Sequence, residues 1–422
     1  MSTKEKGRNV KKMLAVDQRR RQNLALEKQK TERRGRINLA RMMGGESEAA
    51  APEDDTEGAA HAQGAGADAM GESAQNASPA EGKGRGRRGR RSVDPAEEVW
   101  RGALMVPDWM IEVPDALPAQ WLVTSRPEGK RCLVMSSRGN TTARLRSGKI
   151  MTSFQSALPN GGAGTRGGRG GQDYSILDCV FVEQLGVFFV GDVMCWKGHS
   201  VYDCTAEFRL FWLQQKLAED APQAGVVVPG SNPYAFVPLP WYVADAAGLE
   251  SAYSSVAVPF TRDGLLFMHR ESHYEVGLTP LALTWKDQQC STYLSESYPG
   301  VDPAVQVACL HVSESGALST VDEPPVVVAT APPEAMAGVK TNHLSLALFA
   351  VQGISLTYPE VAMSEVPDGA PVVAIESVQF VAAAANKRAE GDSLSKILFQ
   401  QALRSQPLSI QDLAAAAVVP MA

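Results

Sequence analysis

Apolar and polar positions alternate with a period of two through much of the centre of the chain. QWLVTS (Gln120–Ser125), KRCLVMSS (Lys130–Ser137), SILDCVFVEQLGVFFVGDVMCW (Ser175–Trp196) and DGLLFMH (Asp263–His269) read as strands bounded by turn residues. The span VFVEQLGVFFVGDV reads as a hairpin turning at Leu185-Gly186. EFRLFWLQQKL (Glu207–Leu217) switches to helical spacing with one apolar face. Six of the seven tryptophans lie between Trp109 and Trp285, and Trp196 and Trp212 are expected in the core. Strands mixed with a few helices predict an α+β fold over residues 97–300.

The flanks behave differently. Residues 12–43 contain no proline and many helix formers, and Gly44-Gly45 stops them, so a single helix of roughly 45 Å is expected. Its apolar stripe (Leu14, Leu24, Ile37, Leu39, Met42) is thin, while Arg19, Arg20, Arg21, Lys28, Lys30, Arg33, Arg34, Arg36 and Arg41 surround it. A helix polar nearly all round lacks a face to bury in its own domain and is expected to meet an acidic partner or a nucleic acid. Residues 45–92 show no periodicity and are rich in Ala, Gly, Glu and Ser, which predicts a linker. It ends in GKGRGRRGRRS (Gly82–Ser92), a solubilising patch, an RNA contact or a simple nuclear localisation signal. Beyond residue 300, the runs VVVATA, LSLALFAV and SVQFVAAAA look strand-like, and SLSKILFQQALRSQPLSIQDLAAAAVV reads as two short helices. The predicted divisions are 1–44, a basic helical segment; 45–96, a linker; 97–300, a folded domain; and 301–422, an acidic, partly helical segment.

Charge sharpens these divisions. The formal net charge is -6. Residues 1–44 hold fourteen Lys/Arg against four Asp/Glu, a net of +10, and residues 45–80 hold eight acids and no bases. Residues 300–422 hold five bases and twelve acids, a net of -7. Separate charge blocks suit separate partners. The charged N-terminus has no apolar run of a secretory signal, and no stretch approaches the ~18 apolar residues of a membrane span. An intracellular, reduced protein with free thiols and no membrane attachment is expected.

Two constellations invite a metal reading and fall short of it. Cys195, His199 and Cys204 are close in sequence but lack a second pair, and none of the six cysteines forms a CxxC. His269 and His273 in HRESH have the spacing of a zinc protease helix, but the Glu is misplaced and the context is a strand. The Gly-rich run GGAGTRGGRGG (Gly161–Gly171) lacks the GK[ST] ending of a phosphate loop. No metal and no cofactor are expected.

The stretches VPDWMIEVP, GKRCLVMSSRGNT, DYSILDCVF, GDVMCWKGHSVYDCTAEFRLFWLQQKL and DGLLFMHRESHYEVGLTPLALTWKD resemble the snurportin family of trimethylguanosine-cap-binding import adaptors. RRRQNLALEKQKTERRGR resembles the importin-β-binding segment found in that family and in importin-α. That family's fold is in turn similar to the nucleotidyltransferase domain of mRNA capping enzymes and nucleic-acid ligases. Asp263-Gly264-Leu265-Leu266-Phe267 resembles the fourth motif of those enzymes, Thr284-Trp285-Lys286 the fifth and Asp192 the third. Those enzymes attack with the lysine of KxDG, and this sequence contains no KxDG. The resemblance therefore implies a cap-binding domain of mixed and antiparallel sheets with flanking helices, preceded by a long basic helix, that binds without catalysing.

Particular residues follow from the resemblance. Trp285 is implied as the stacking platform for the methylated base, although it falls one residue later than in vertebrate relatives counted from Thr279-Pro280. Trp109 is implied beside the N2 methyl groups, with Val106 and Pro107 just before it. Lys130, Arg131, Arg138 and Arg146 are implied at the bridge phosphates. Arg19, Arg20, Arg21, Lys28, Lys30, Arg33, Arg34 and Arg36 are implied at importin-β. The partners implied are trimethylguanosine-capped small nuclear RNA in its ribonucleoprotein, importin-β, and the leucine-rich-signal exportin for recycling, with shuttling between cytoplasm and nucleus. Two other functions stay open on the residues alone: a guanylyltransferase-like enzyme, and a general RNA-binding protein working through its basic segments.

Overall fold

The computed structural model describes residues 18–32, 95–165, 173–254, 258–287, 290, 301–302, 304–338, 345–357, 372–384, 391–405 and 407–418. The linker patch at 82–92 and Arg33, Arg34 and Arg36 lie outside these residues, as does most of the expected 12–43 helix. What is described of that helix is α1, residues 18–32.

From residue 95 the chain runs through α2 (Pro95–Trp100), β1 (Met105–Trp109), α3 (Leu117–Gln120), β2 (Trp121–Pro127), β3 (Lys130–Ser137), β4 (Asn140–Leu145), β5 (Ile150–Phe154), β6 (Tyr174–Val182), β7 (Val187–Trp196) and β8 (His199–Ser200). It continues through α4 (Ala206–Asp220), β9 (Ala235–Pro238), β10 (Tyr242–Val243), α5 (Ala246–Tyr253), β11 (Arg262–His269) and β12 (Gly277–Trp285). The last part contains β13 (Gln306–Val312), β14 (Ala317–Ser319), β15 (Val327–Thr330), α6 (Pro333–Gly338), β16 (Ser345–Thr357), β17 (Val372–Ala383), α7 (Leu394–Ser405) and α8 (Ile410–Ala416). The fold class is α+β.

The expected strands appear as β2, β3, β6, β7 and β11. The hairpin turns where glycine permits it: Val182 pairs with Val187, and Gly186 has φ 64°. Helix α4 starts at Thr205, whose hydroxyl accepts from the Phe208 N–H. Its buried positions are Ala206, Arg209, Leu210, Leu213 and Leu217. That spacing leaves Trp212 at the margin. Trp196 is fully buried, and Trp212 is half-buried, packing on the margin of the same core and stacking on Phe208 at 6.1 Å.

Two sheets face each other. The first has the order β1-β12-β11-β2-β10, with β1 parallel to β12 and the other pairings antiparallel. The second has the order β5-β4-β3-β6-β7-β8, with β9 added to β7. Between them lies an apolar layer: Leu122, Met268 and Ala282 from the first sheet, Leu133, Ile176 and Met194 from the second, and Leu210 of α4. The outer face of the first sheet (Val123, Leu265, Phe267, Leu283, Trp285) is covered by Leu117 of α3, Leu249 of α5 and Leu413 of α8. The outer face of the second (Val134, Leu177, Phe188, Val190) packs under Leu213 and Leu217 of α4.

Residues 306–383 build a third unit. Its sheet order is β15-β14-β13-β16-β17, and β15 lies against β17. The strands therefore close as a five-stranded, partly open Greek-key barrel of the OB type, with α6 inserted between the third and fourth strands. The strand-like runs read beyond residue 300 are β15, β16 and β17. The segment is a barrel followed by the two helices α7 and α8, over the stretch read from the sequence as two short helices. It joins the first domain through a shared core: Ile111, just after β1, packs with Leu310 and Phe349 of the barrel and Ile397 of α7.

Two consequences for stability follow. Arg209 and Asp192 form a wholly buried bidentate pair at 2.8 and 3.0 Å, and the same guanidinium donates to the carbonyls of Cys204 and Ser272. Arg209→Leu leaves a buried carboxylate without its partner and is expected to cost ~3–5 kcal/mol in urea unfolding, with Asp192→Asn added to it recovering part of the loss. His269 is buried against Trp121, and its Nδ1 accepts from the Glu271 N–H at 3.2 Å, which holds the ring neutral. Burial lowers its pKa below the usual histidine value. Its contribution is therefore present above about pH 6.5 and lost as pH falls through the lower folded value. Stability is expected to decline below about pH 6.5, and His269→Gln to remove that part of the decline.

Candidate functional site

The site grows out of one register. Edge strand β1 carries Pro107, whose missing N–H is tolerated at an edge, and its pairing with β12 shifts between Pro107 and Asp108. Beyond the shift, Trp109 lies opposite Thr284 and Asp108 opposite Leu283. Successive strand residues alternate between faces. Leu283 and Trp285 therefore share the outer core, while Thr284 and Lys286 face the second sheet.

Trp285 is accordingly a core residue here. Its side chain is wholly buried beside Trp121, Leu249 and Leu413, and its indole N–H donates to the carbonyl of Leu408 at 3.0 Å. The structure does not bring Trp109 and Trp285 to one pocket, as the sequence reading expected. The alternation of β12 that turns Thr284 inward places Trp285 in the outer core. Trp109 is half-buried, and its ring packs at 4.9 Å on Phe399 of α7. Val106 and Pro107 are half-buried on β1, opposite Leu278 and Thr279.

The inward face of the first sheet is graded. The ladder places Thr284 beside Leu266 and Leu266 beside Thr124, so these three continue the row that begins at Trp109. One step further along the same face come Lys286, Gly264 and Arg126. Gly264 has φ 103°, and a Cβ there would meet the Trp285 carbonyl oxygen at 2.4 Å. Only glycine fits at this close approach. Lys286 Nζ lies 2.6 Å from Asp263 Oδ1, and Arg126 Nη1 lies 3.7 Å from Asp263 Oδ2. Burial lowers the Lys286 pKa, Arg126 lowers it further, and Asp263 works against both.

The facing sheet supplies Arg131 and Asp178. Arg131 makes a bidentate bond to Asp178 at 2.5 and 3.0 Å, and the Tyr274 hydroxyl donates to the same carboxylate at 2.8 Å. Burial opposes the charge on Arg131, and Asp178 more than offsets it, holding the guanidinium above its ordinary value. Arg126 lies near enough to Arg131 and Asp178 for both to bias its charge. Three cations, Arg126, Arg131 and Lys286, thus gather around two carboxylates at the polar end of the interface between the sheets, with the aromatic Trp109 on the adjoining row. The arrangement suits a ligand with a flat base and an anionic tail.

The four cationic residues expected at the phosphates separate. Arg131 faces inward. Arg146 follows β4 just beyond the Leu145–Cys132 pair, beside the same end of β3. Lys130 falls on the alternate face and pairs with Glu183 at 2.6 Å on the exposed surface. Arg138 sits in the exposed turn after β3, with φ 52°, seven residues or roughly 23 Å of strand from Arg131. Of the three motif traces, those holding Asp263 and Lys286 meet in this site, whereas Asp192 is bonded by Arg209. Arg126 was missed by the sequence reading, and Thr284 and Lys286 were named only as a motif trace. The signal for Arg126 was parity, since it is two residues after Thr124 as Lys286 is two after Thr284. The expected importin-binding residues Arg19 and Arg21 pair with Asp115 and Asp108, and Lys28 and Lys30 are exposed on α1.

Among solved structures, the chain is similar to the ATP-dependent DNA ligase from bacteriophage T7 in complex with ATP (TM-score 0.32, 11% identity, 68% of this chain and 100% of that one). It is also similar to a mycobacterial DNA ligase D complexed with ATP and MES (TM-score 0.31, 13% identity, 68% and 96%) and to a Chlorella virus DNA ligase-adenylate (TM-score 0.30, 10% identity, 58% and 92%). Residues 103–286 match the family model described as Snurportin1, m3G cap-binding domain, and this span holds both facing sheets together with Trp109, Arg126, Arg131, Thr284 and Lys286. The chain is therefore snurportin-like, carrying over residues 103–286 a domain of the Snurportin1 m3G cap-binding family.

Proposed function

We infer that the chain is a nuclear import adaptor that holds the trimethylguanosine cap of a small nuclear ribonucleoprotein and links it to importin-β. The observation that carries the cap reading is the family match over residues 103–286, which spans the two-sheet site. The chemistry of the site supports it. A base methylated at N7 is cationic, and stacking against an indole adds ~0.5–2 kcal/mol to its binding. Trp109 is the indole on the same ladder row as Thr284. Two methyl groups on N2 remove two donors and favour an apolar wall, which Leu266 and the Trp109 ring supply. The triphosphate bridge calls for cations, and Arg126, Lys286 and Arg131 lie together.

Binding rather than catalysis is supported by the missing KxDG and by the engagement of Lys286 with Asp263. The importin-β link rests on different support. Residues 1–44 carry a net charge of +10, and their described part, 18–32, is helical. Such a segment suits an acidic receptor that steers it electrostatically. Recycling by the leucine-rich-signal exportin, and shuttling between cytoplasm and nucleus, belong to the same reading by family likeness.

The test is a titration of the full chain with trimethyl- and monomethyl-cap dinucleotides, read by tryptophan fluorescence. The trimethyl form is expected to bind tenfold to several hundredfold more tightly, because a monomethyl cap leaves two N2 donors unmet against an apolar wall at ~1–3 kcal/mol each. Trp109→Ala, and Arg126→Ala with Lys286→Met, are expected to weaken trimethyl-cap binding at least tenfold. Trp285→Ala is expected instead to lower stability by ~3–5 kcal/mol, since it empties a core position. A cap-independent response that collapses with salt would replace this reading with general RNA binding.

A further inference from the structure

Helix α7 lies outside residues 103–286, yet two of its side chains reach Trp109. Ser395 and Phe399 are four residues apart and so share one face of the helix. Ser395 Oγ accepts from the Trp109 N–H at 3.3 Å, beside a second acceptor, Asp108 Oδ1, at 3.0 Å. The Phe399 ring packs on the indole with centroids 4.9 Å apart and planes at 42°. Phe399 is itself only 2% exposed, so its ring is fixed by its surroundings.

The rest of α7 is anchored to the barrel. Leu394, Ile397 and Leu398 enter the barrel core with Leu310 and Phe349. Gln306 Nε2 of β13 donates to the Ile397 carbonyl at 2.7 Å, and the Leu394 N–H donates to Asp322 Oδ2 at 2.7 Å. Asp392, just before the helix, accepts from the Cys309 N–H of β13 at 2.9 Å and from Lys396 Nζ at 2.6 Å. Three anchors thus tie the helix to β13 and to the segment after β14. A half-buried indole on an edge strand has a broad second side-chain torsion, and its plane is set by whatever neighbour blocks it. For Trp109 that neighbour is α7, held by a different core.

We propose that Phe399, with Ser395 beside it, is a positioning residue of the cap site: α7 holds the Trp109 indole in one plane for the methylated base. The proposal rests on the cap-binding reading above. Phe399 takes one side of the indole, and the base takes the other. A ring already fixed loses less freedom when a ligand lands on it. The same plane sets the fit at N2, because two methyl groups gain from an indole wall only where the wall lies flush against them. The C-terminal third of the chain thereby contributes to the affinity and selectivity of a domain whose family match ends at residue 286.

The experiment titrates the full chain with trimethyl- and monomethyl-cap dinucleotides and records near-ultraviolet circular dichroism without ligand. Phe399→Leu is expected to weaken trimethyl-cap binding about three- to tenfold, the scale of one side chain freed and then immobilised, and to lower the preference for the trimethyl form. Ile397→Val, on the barrel side of the same helix, is expected to lower stability and leave cap affinity within about twofold. In a Trp109→Ala background, Phe399→Leu is expected to weaken binding no further, since its effect runs through the indole. Without ligand, Phe399→Leu is expected to remove the dichroic band that Trp109→Phe also removes. Equal weakening by Phe399→Leu with and without Trp109 would overturn the proposal, making Phe399 a general support of the fold. So would an unchanged cap affinity in Phe399→Leu. No cap binding by the unaltered chain, with the band still lost in Phe399→Leu, would overturn the cap reading and leave the holding of Trp109 by α7 standing.

Discussion

The parallel pairing of β1 with β12 is the constraint on which the rest of the molecule depends. It fixes Trp109 opposite Thr284 and Asp108 opposite Leu283. From those pairings follow the inward row of the site and the burial of Trp285. Three further pieces then attach to the same edge. Helix α1 bonds to the backbone of Trp109, α7 lays Phe399 on its ring, and Ile111 just beyond the strand enters the core of the barrel. An edge strand with open backbone groups invites such coverage. Here the coverage is used to join three parts of the chain around one potential ligand surface.

A second regularity is electrostatic. Four carboxylates sit in or near the interface of the two sheets and the β1 edge, and each has a basic partner: Asp108 with Arg21, Asp178 with Arg131, Asp192 with Arg209 and Asp263 with Lys286. A buried ion pair is weak evidence for stability, but a buried ion without its partner is strongly destabilising. These pairs therefore act as fixed points of geometry. They also set the character of the site. Asp192 is buried and engaged by Arg209 on both oxygens and by the Val193 N–H, away from Arg126, Arg131 and Lys286. Arg126 meets Asp263 only at 3.7 Å and is a third cation around two carboxylates, which makes the site receptive to an anion.

The barrel at 306–383 changes the meaning of the C-terminal third of the chain. OB-type barrels commonly bind oligonucleotides with basic, aromatic-bearing grooves. The net charge of -7 over residues 300–422 runs against that use. Its visible role is architectural. Together with α7 and α8 it covers both faces of the β1–β12 edge: Phe399 over Trp109, and the Leu408 carbonyl and Leu413 over Trp285. The cap-binding unit of this chain is thus enclosed by elements from both ends of the sequence.

By itself, the sequence determined the local elements. Period-two runs gave β2, β3, β6, β7 and β11, and the 3.6 spacing gave α4, because strand and helix each impose their own repeat on apolar positions. Charge blocks marked the basic head, and quoted motifs identified the middle domain. Only the tertiary structure decided which face each residue took. Trp285 and Thr284 are neighbours in sequence, yet the pairing of β12 sends one to the core and the other to the site. Lys130 and Arg131 part in the same way. Arg126 was invisible because its relevance comes from Lys286, Arg131 and Asp178, which are distant in the chain. The pairing of Arg21 with Asp108 spans 87 positions, and no local pattern encodes a contact of that range. Periodicity is a property of the backbone and can be read from a string; register and partner choice are set by which surfaces meet when the whole chain packs.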